Sequence, residues 1–380
     1  MRRRLPLVIL LLSLACGPGP VADDVLEPSA DAAVLPDAGS SDAATPDDDA
    51  GFDAGRADGP DAGLDAPDAA QPEVDAGKPD AGLPDAGATR LRIAVLSDLN
   101  GSYGATTYES SVHQAVAALV TEVHPDVVLI SGDMVAGQQA GLNYAAMWQG
   151  FHAAVTTPLT QAGIPVAPAP GNHDASAYAG YEAERDEYQR QWQPARRPAV
   201  QMVDGSHFPF RYSFAVRDTF FVALDATTVG ALSSAQRTWV AQQLTAAASY
   251  RVRIVFGHVP IRPATVGRET QVLGDAALES LLVQHRALFV GGHHHGYFPG
   301  ASSGLRHVVT PCLGSGPRAL IGTSTTAPKG FVVIDVEDGR VSSLEARTGS
   351  SFRATIPRSS LPAELRFGPH LLVRDDLAGF

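Results

Sequence analysis

From Leu91 onward, short apolar runs alternate with longer stretches in which apolar residues recur every three or four positions. Runs of the first kind suit buried strands, and the second spacing suits amphipathic helices. Strands are predicted over Leu91–Leu96 and over 126–130, 164–167, 253–256 and 287–290. A helix is predicted over 110–123, where Val112, Val116, Leu119, Val120 and Val123 fall on one face, and another over 142–155. Ser233 precedes a further helical pattern through Gln236, Trp239 and Leu244, and two strand-like runs follow at 331–336 and 341–346. Each of the first five strands leads into residues able to bind a metal. These are Ser97-Asp98-Leu99-Asn100, Ser131-Gly132-Asp133, Gly171-Asn172-His173-Asp174, Gly257-His258 and Gly291-Gly292-His293-His294-His295. In open α/β sheets, ligands sit just beyond the carboxyl ends of the strands. If the backbone stays extended there, residues two apart share a side. Asp98 is then expected beside Asn100 and His293 beside His295, with His294 turned outward in a structural role.

The amino-terminal part breaks this pattern. Arg2, Arg3 and Arg4 lead into an apolar run over 5–14, the make-up of an export signal and too short for a permanent membrane span. The run ends Ser13-Leu14-Ala15-Cys16, which resembles a bacterial lipoprotein cleavage site. That resemblance implies acylation of Cys16 and a chain exported and lipid-anchored, at the outer membrane or cell surface. Residues 17–88 repeat Pro-Asp-Ala-Gly and carry 18 acidic against 2 basic residues, without periodic large apolar side chains. Such a stretch has too little to bury and is read as a disordered acidic linker. The linker thus carries −16, which Arg2, Arg3 and Arg4 reduce to the net −13; beyond it, 23 acids balance 23 bases, leaving no basic excess for nucleic acid. Two cysteines make no disulfide framework, so Cys312 is expected as a buried free thiol.

The five clusters, in this order, resemble the calcineurin-like metallophosphoesterase family, whose pattern is D-x-H, G-D, G-N-H-D/E, a lone His after a strand, then G-H-x-H. The resemblance implies a four-layer α/β/β/α sandwich of two mixed sheets over 89–350, with 351–380 as a carboxyl-terminal extension. It implies two metal ions (Mn, Fe or Zn) shared through Asp133, the first held by Asp98 and His295 and the second by Asn172, His258 and His293. His173 would contact phosphate and protonate the leaving oxygen, with Asp174 orienting its imidazole. Asn100 stands where the family has histidine and would supply an amide oxygen, a harder ligand. Purple acid phosphatase relatives compensate with a tyrosine three residues after the G-D aspartate, where this sequence has Ala136. The implied function is hydrolysis of phosphate mono- or diesters outside the cytoplasm. The competing reading is a non-catalytic surface-binding protein that retains a degenerate site, and Asn100 is its support. Asp225 reads as a strand-end residue, and the acidic face over 182–187, with Arg185, as part of a lid.

Overall fold

The computed structural model describes residues 90–378. The export signal, Cys16 and the acidic linker over 17–88 lie outside the described residues. Among those residues, no helix is long and apolar enough to cross a membrane.

The chain opens with β1 (Leu91–Leu96), α1 (Ser110–Ala118), β2 (Val127–Ser131), α2 (Tyr144–Phe151), α3 (Thr157–Gln161) and β3 (Val166–Ala169). The predicted helix over 110–123 is a single run whose last turn, Leu119–Val123, widens to π-helical spacing. A second π turn, His152–Thr156, joins α2 to α3. Then come α4 (Asn172–Ala175), α5 (Glu182–Trp192), β4 (Gln201–His207), β5 (Arg211–Val216) and β6 (Thr219–Ala223). The helix α6 (Ser234–Ala246) starts where predicted, because the Ser233 side chain accepts a hydrogen bond from the Gln236 amide. The rest comprises β7 (Val252–Gly257), α7 (Ala276–Gln284), β8 (Leu288–Gly291), β9 (Phe298–Ser302), β10 (Leu305–Val309), β11 (Gly330–Glu337), β12 (Arg340–Thr348), β13 (Ala354–Thr355), β14 (Glu364–Phe367) and β15 (His370–Arg374).

These strands form two mixed sheets. One has the order β13-β12-β11-β1-β2-β3, with β1, β2 and β3 parallel; the other has the order β14-β15-β9-β10-β8-β7-β6-β5-β4, with β10, β8, β7 and β6 parallel. Alternation along β6 assigns the layers. Phe221 and Ala223 join the main core between the sheets, while Phe220 and Val222 pack with Trp239, Val240 and Leu244 of α6 and Leu278 and Leu282 of α7. On the other side, Trp148 and Phe151 of α2 meet Tyr188 and Trp192 of α5 with ring centroids 5.7–6.4 Å apart. Full burial of each such side chain stabilises by roughly 1.5–3 kcal/mol.

Residues 351–378 are part of the sandwich. β13 extends the first sheet, and β14 and β15 extend the second through Val373 opposite Ala301. Leu365 and Leu372 pack on Phe298, Val309 and Leu320. Arg358 pairs with Asp375 at 2.7 Å and also reaches Tyr297 and the Leu344 carbonyl.

Candidate metal centre

Parallel strands of both sheets end at one edge of the sandwich, and the five clusters meet there. Residues Asp98, Asp133, Asn172 and His173 follow β1, β2 and β3; His258, His293 and His295 follow β7 and β8. The loops are tied to one another by backbone hydrogen bonds. The Leu99 and Asn100 amides donate to the Asp133 carbonyl, and the Gly292 amide donates to the His258 carbonyl. The expected extended backbone is absent. Asp98, Asp133, His293 and His295 all have positive φ, between 51° and 65°. Left-handed backbone at four such residues stores strain, which fixed surroundings must hold. His293 and His295 therefore reach the centre through sharp turns rather than the two-residue period of a strand. Gly132 has a positive φ of 91°, and a Cβ there would fall 2.5 Å from His258 Nδ1.

Six of the expected ligands converge. Asp98, Asp133 and His258 each offer an atom within 4.8 Å of the others. His258 Nε2 lies 2.9 Å from Asn172 Oδ1, 3.1 Å from His293 Nδ1 and 3.3 Å from Asp133 Oδ2. His295 Nε2 lies 3.2 Å from Asp98 Oδ1. The ring tautomers follow from the acceptor at the far side of each imidazole. His258 Nδ1 faces the Ser131 carbonyl at 2.9 Å, His295 Nδ1 the Gly316 carbonyl at 2.8 Å, and His293 Nε2 the Gln271 side-chain oxygen at 3.0 Å. The Ser131 and Gly316 oxygens only accept, so the outer nitrogens of His258 and His295 carry a proton and, in the neutral rings, their inner nitrogens turn a lone pair inward; His293 Nε2 faces the Gln271 oxygen and, at 3.4 Å, the Arg268 guanidinium. Lone pairs on nitrogen and oxygen then face one another across about 3 Å. A cation resolves that arrangement, and the donor set fits one.

Without a cation, a proton on His258 relieves the same crowding of donors. Burial raises the Asp133 carboxyl, but the charges of His258 and then His173 hold it below the usual carboxylate range. Burial lowers His258, yet the Asp133 carboxylate outweighs it and holds the imidazole up at about 9. Burial, then the charge of His258, pushes His293 well below its ordinary value, so this ring is neutral.

Other residues sit differently from expectation. Asn100 is buried, and its side-chain oxygen accepts from the Ser315 hydroxyl. Ser315 is held there by its own amide, which donates to the Asp98 carbonyl. Asp174 does not touch the His173 ring. One of its oxygens accepts from the amides of Met134 and Val135 at 2.7 and 2.9 Å, the other from that of Gly171 at 2.9 Å. It clamps the turn after β2 to the turn after β3. Burial, then the charge of Asp133, pushes Asp174 up to about 8, against the amides that favour its ionised form. His173 is oriented instead by Gly137, whose carbonyl lies 3.1 Å from Nδ1. The partly exposed Tyr103 ring lies over it, with centroids 5.5 Å apart. His294 does turn away from the centre, but into the core rather than outward: it is fully buried, bonded to the Ala264 amide and the Gln271 carbonyl. Arg185 forms an ion pair with Asp225 at 2.6 Å and Glu184 is buried, so α5 braces the site rather than acting as a lid.

The supporting residues Gly137, Gln138, Gln271, Ser315 and Gly316 escaped the sequence reading. Gly137 and Gly316 act through backbone carbonyls, Ser315 through its hydroxyl, Gln271 through its side-chain oxygen and Gln138 through the side-chain oxygen that accepts from Asn172 Nδ2 at 2.9 Å, all on loops where no spacing marks them. Cys312 is a buried free thiol, as expected.

A model of the calcineurin-like phosphoesterase family matches residues 91–297. No curated protein matches. Among solved structures, a purple acid phosphatase from yellow lupin (Lupinus luteus) seeds superposes with a TM-score of 0.54 at 18% identity, over 71% of this chain and 53% of that one. This chain thus spans about half the length of the lupin protein. A dimetal phosphatase from Danio rerio gives a TM-score of 0.47 at 16% identity, over 66% of this chain and 96% of that one.

Proposed function

Since this chain belongs to the calcineurin-like phosphoesterase family, we propose that its metal-dependent phosphoesterase site hydrolyses phosphate mono- or diesters with His173 as general acid. The observation that carries this reading is the convergence on His258 Nε2 of donors from Asn172, His293 and Asp133, with His173 beside that cluster but outside it. Asp98 and His295 would hold one ion, Asn172, His258 and His293 the other, and Asp133 both. Such a pair of cations would neutralise the phosphoryl oxygens and lower the pKa of an attacking water.

The chain's own groups supply the rest. Two backbone carbonyls and the Gln271 side-chain oxygen fix the ligand imidazoles, so the donors need no rearrangement on binding. The Asp133 carboxylate accepts from the His173 amide at 3.0 Å, tying the position of the acid to the shared ligand. With Nδ1–H on the Gly137 carbonyl, Nε2 is the atom left to carry the transferable proton. It passes that proton to the ester oxygen as the P–O bond breaks, so that an alcohol departs rather than an alkoxide. We further propose that the enzyme works outside the cytoplasm, lipid-anchored through Cys16.

The test compares two esters. His173→Ala should lower turnover of an alkyl phosphate by roughly 10²-fold while bound metal stays at wild-type stoichiometry. Loss on a para-nitrophenyl ester should be smaller, because its leaving group departs without a proton. Loss of metal, or equal loss on both esters, would sink the assignment. Silence toward both esters in metal-loaded wild type would favour the non-catalytic surface-binding reading.

A further inference from the structure

The opposite edge of the sandwich holds a second concentration of charge. The amino ends of β7, β8 and β10, with the β11–β12 hairpin, line a cavity of about 560 Å³ there. Five arginines line it: Arg251, Arg253, Arg286, Arg306 and Arg340. The lining contains no acidic residue. Among the described residues, no carboxylate forms a salt bridge with Arg251, Arg286 or Arg340, and all three are exposed. Arg253 is fixed by donating to the carbonyls of Ala247, Ala248 and His285 at 3.1–3.4 Å.

The backbone is shaped around this cluster. Arg286 ends the α7 segment with a φ of 52°, the left-handed position where helices usually place glycine. In the hairpin, Gly339 has a φ of 74°, and a Cβ there would overlap the Arg251 side chain. The turn thus lets the Arg251 stem lie across it. Burial pulls both Arg253 and Arg306 below the usual guanidinium value, at Arg306 against the Asp375 charge, so burial disfavours positive charge in the cavity. Like charges gathered in one cavity repel one another, and an anion relieves both that repulsion and the cost of burial.

We propose that this cavity is an anion-binding site, separate from the metal centre, that takes a small multivalent oxyanion. Guanidinium groups bind phosphate and carboxylate oxygens through paired N–H donors. The volume exceeds what one inorganic phosphate fills and falls in the range of small-molecule sites, about 300–1,000 Å³. Along β7, roughly six residues at about 3.3 Å each separate the cavity from His258, so one small ligand does not span both.

The test uses the full chain with its metals removed by dialysis against a chelator. Neither chelation nor the metal centre then contributes, and the result stands whether or not the proposed esterase reading survives. Titration calorimetry at low salt with tripolyphosphate, and separately with citrate, should reveal one site. Binding of the first alone makes the ligand a polyphosphate, binding of the second alone a polycarboxylate, and either supports the site. The combined variant Arg251→Gln, Arg286→Gln, Arg340→Gln should weaken binding at least tenfold and, reloaded with metal, keep wild-type turnover. Arg340→Glu alone, on the exposed hairpin, should weaken binding similarly if the triple variant fails to fold. No binding of either anion by wild type, or equal binding by the variants, overturns the proposal.

Discussion

Gly137 and His173 hold each other through their main chains and the imidazole. The Gly137 amide donates to the His173 carbonyl at 2.9 Å, and the Gly137 carbonyl lies 3.1 Å from His173 Nδ1. The loop after β2 therefore sets both the height and the tautomer of the proposed acid. A Cβ at position 137 would collide with the His173 carbonyl and stand 3.3 Å from the Glu184 carboxyl. Gly137→Ala should thus lower kcat by about tenfold or more, since displacement near 1 Å is worth up to 10²-fold. Metal content should remain unchanged. Wild-type kcat in a folded Gly137→Ala protein would contradict this account of His173 positioning.

Asp174 gives a prediction that separates clamping from orienting. Its two oxygens accept three amide N–H groups, so an asparagine there must aim an N–H at another N–H. Asp174→Asn should cost about 1–3 kcal/mol, read as a fall in Tm. The limb of the pH–rate profile assigned to His173 should stay in place. A shifted limb with unchanged Tm would restore the orienting role.

Asn100 bears on the number of ligands. With its side-chain oxygen engaged by Ser315, Asn100→Ala should leave metal stoichiometry and affinity near wild type, whereas Asp98→Ala should lower both. Metal titration by competition with a chromophoric chelator reads the difference. A large loss of affinity in Asn100→Ala would make it a seventh ligand.

Glu184 ties stability to pH. Its Oε1 accepts from the Gln138 amide at 2.6 Å and the Tyr144 hydroxyl at 2.8 Å, beneath the same loop. Burial pushes this carboxyl from 4.5 up to about 7, against those donors. A carboxyl with a raised folded pKa keeps a proton that the unfolded chain has already lost. Its contribution is fully present below pH 4.5 and is lost as pH rises through about 7. Each unit of separation is worth about 1.4 kcal/mol. Glu184→Gln should flatten the fall in unfolding free energy between these pH values, measured by denaturant titration. An unchanged slope would show that Glu184 is ionised throughout.

The sequence by itself determined the parallel strands, because their two-sided burial demands unbroken apolar runs such as Leu91–Leu96. It also determined which residue types end them: Asp98, Asp133, Asn172, His258, His293 and His295 stand out because glycine and ligand-type side chains rarely coincide at strand ends. Tertiary structure decided how those side chains arrive and what holds them. Left-handed turns, set by contacts between loops far apart in sequence, replaced the expected extended geometry at Asp98 and His293. Asp174 went to three amides and Asn100 to Ser315 because buried oxygens take the nearest donors, and those donors belong to other loops. The arginine cavity likewise exists only in the fold. Its five side chains come from four separate segments, each unremarked until the two sheets bring their amino ends together.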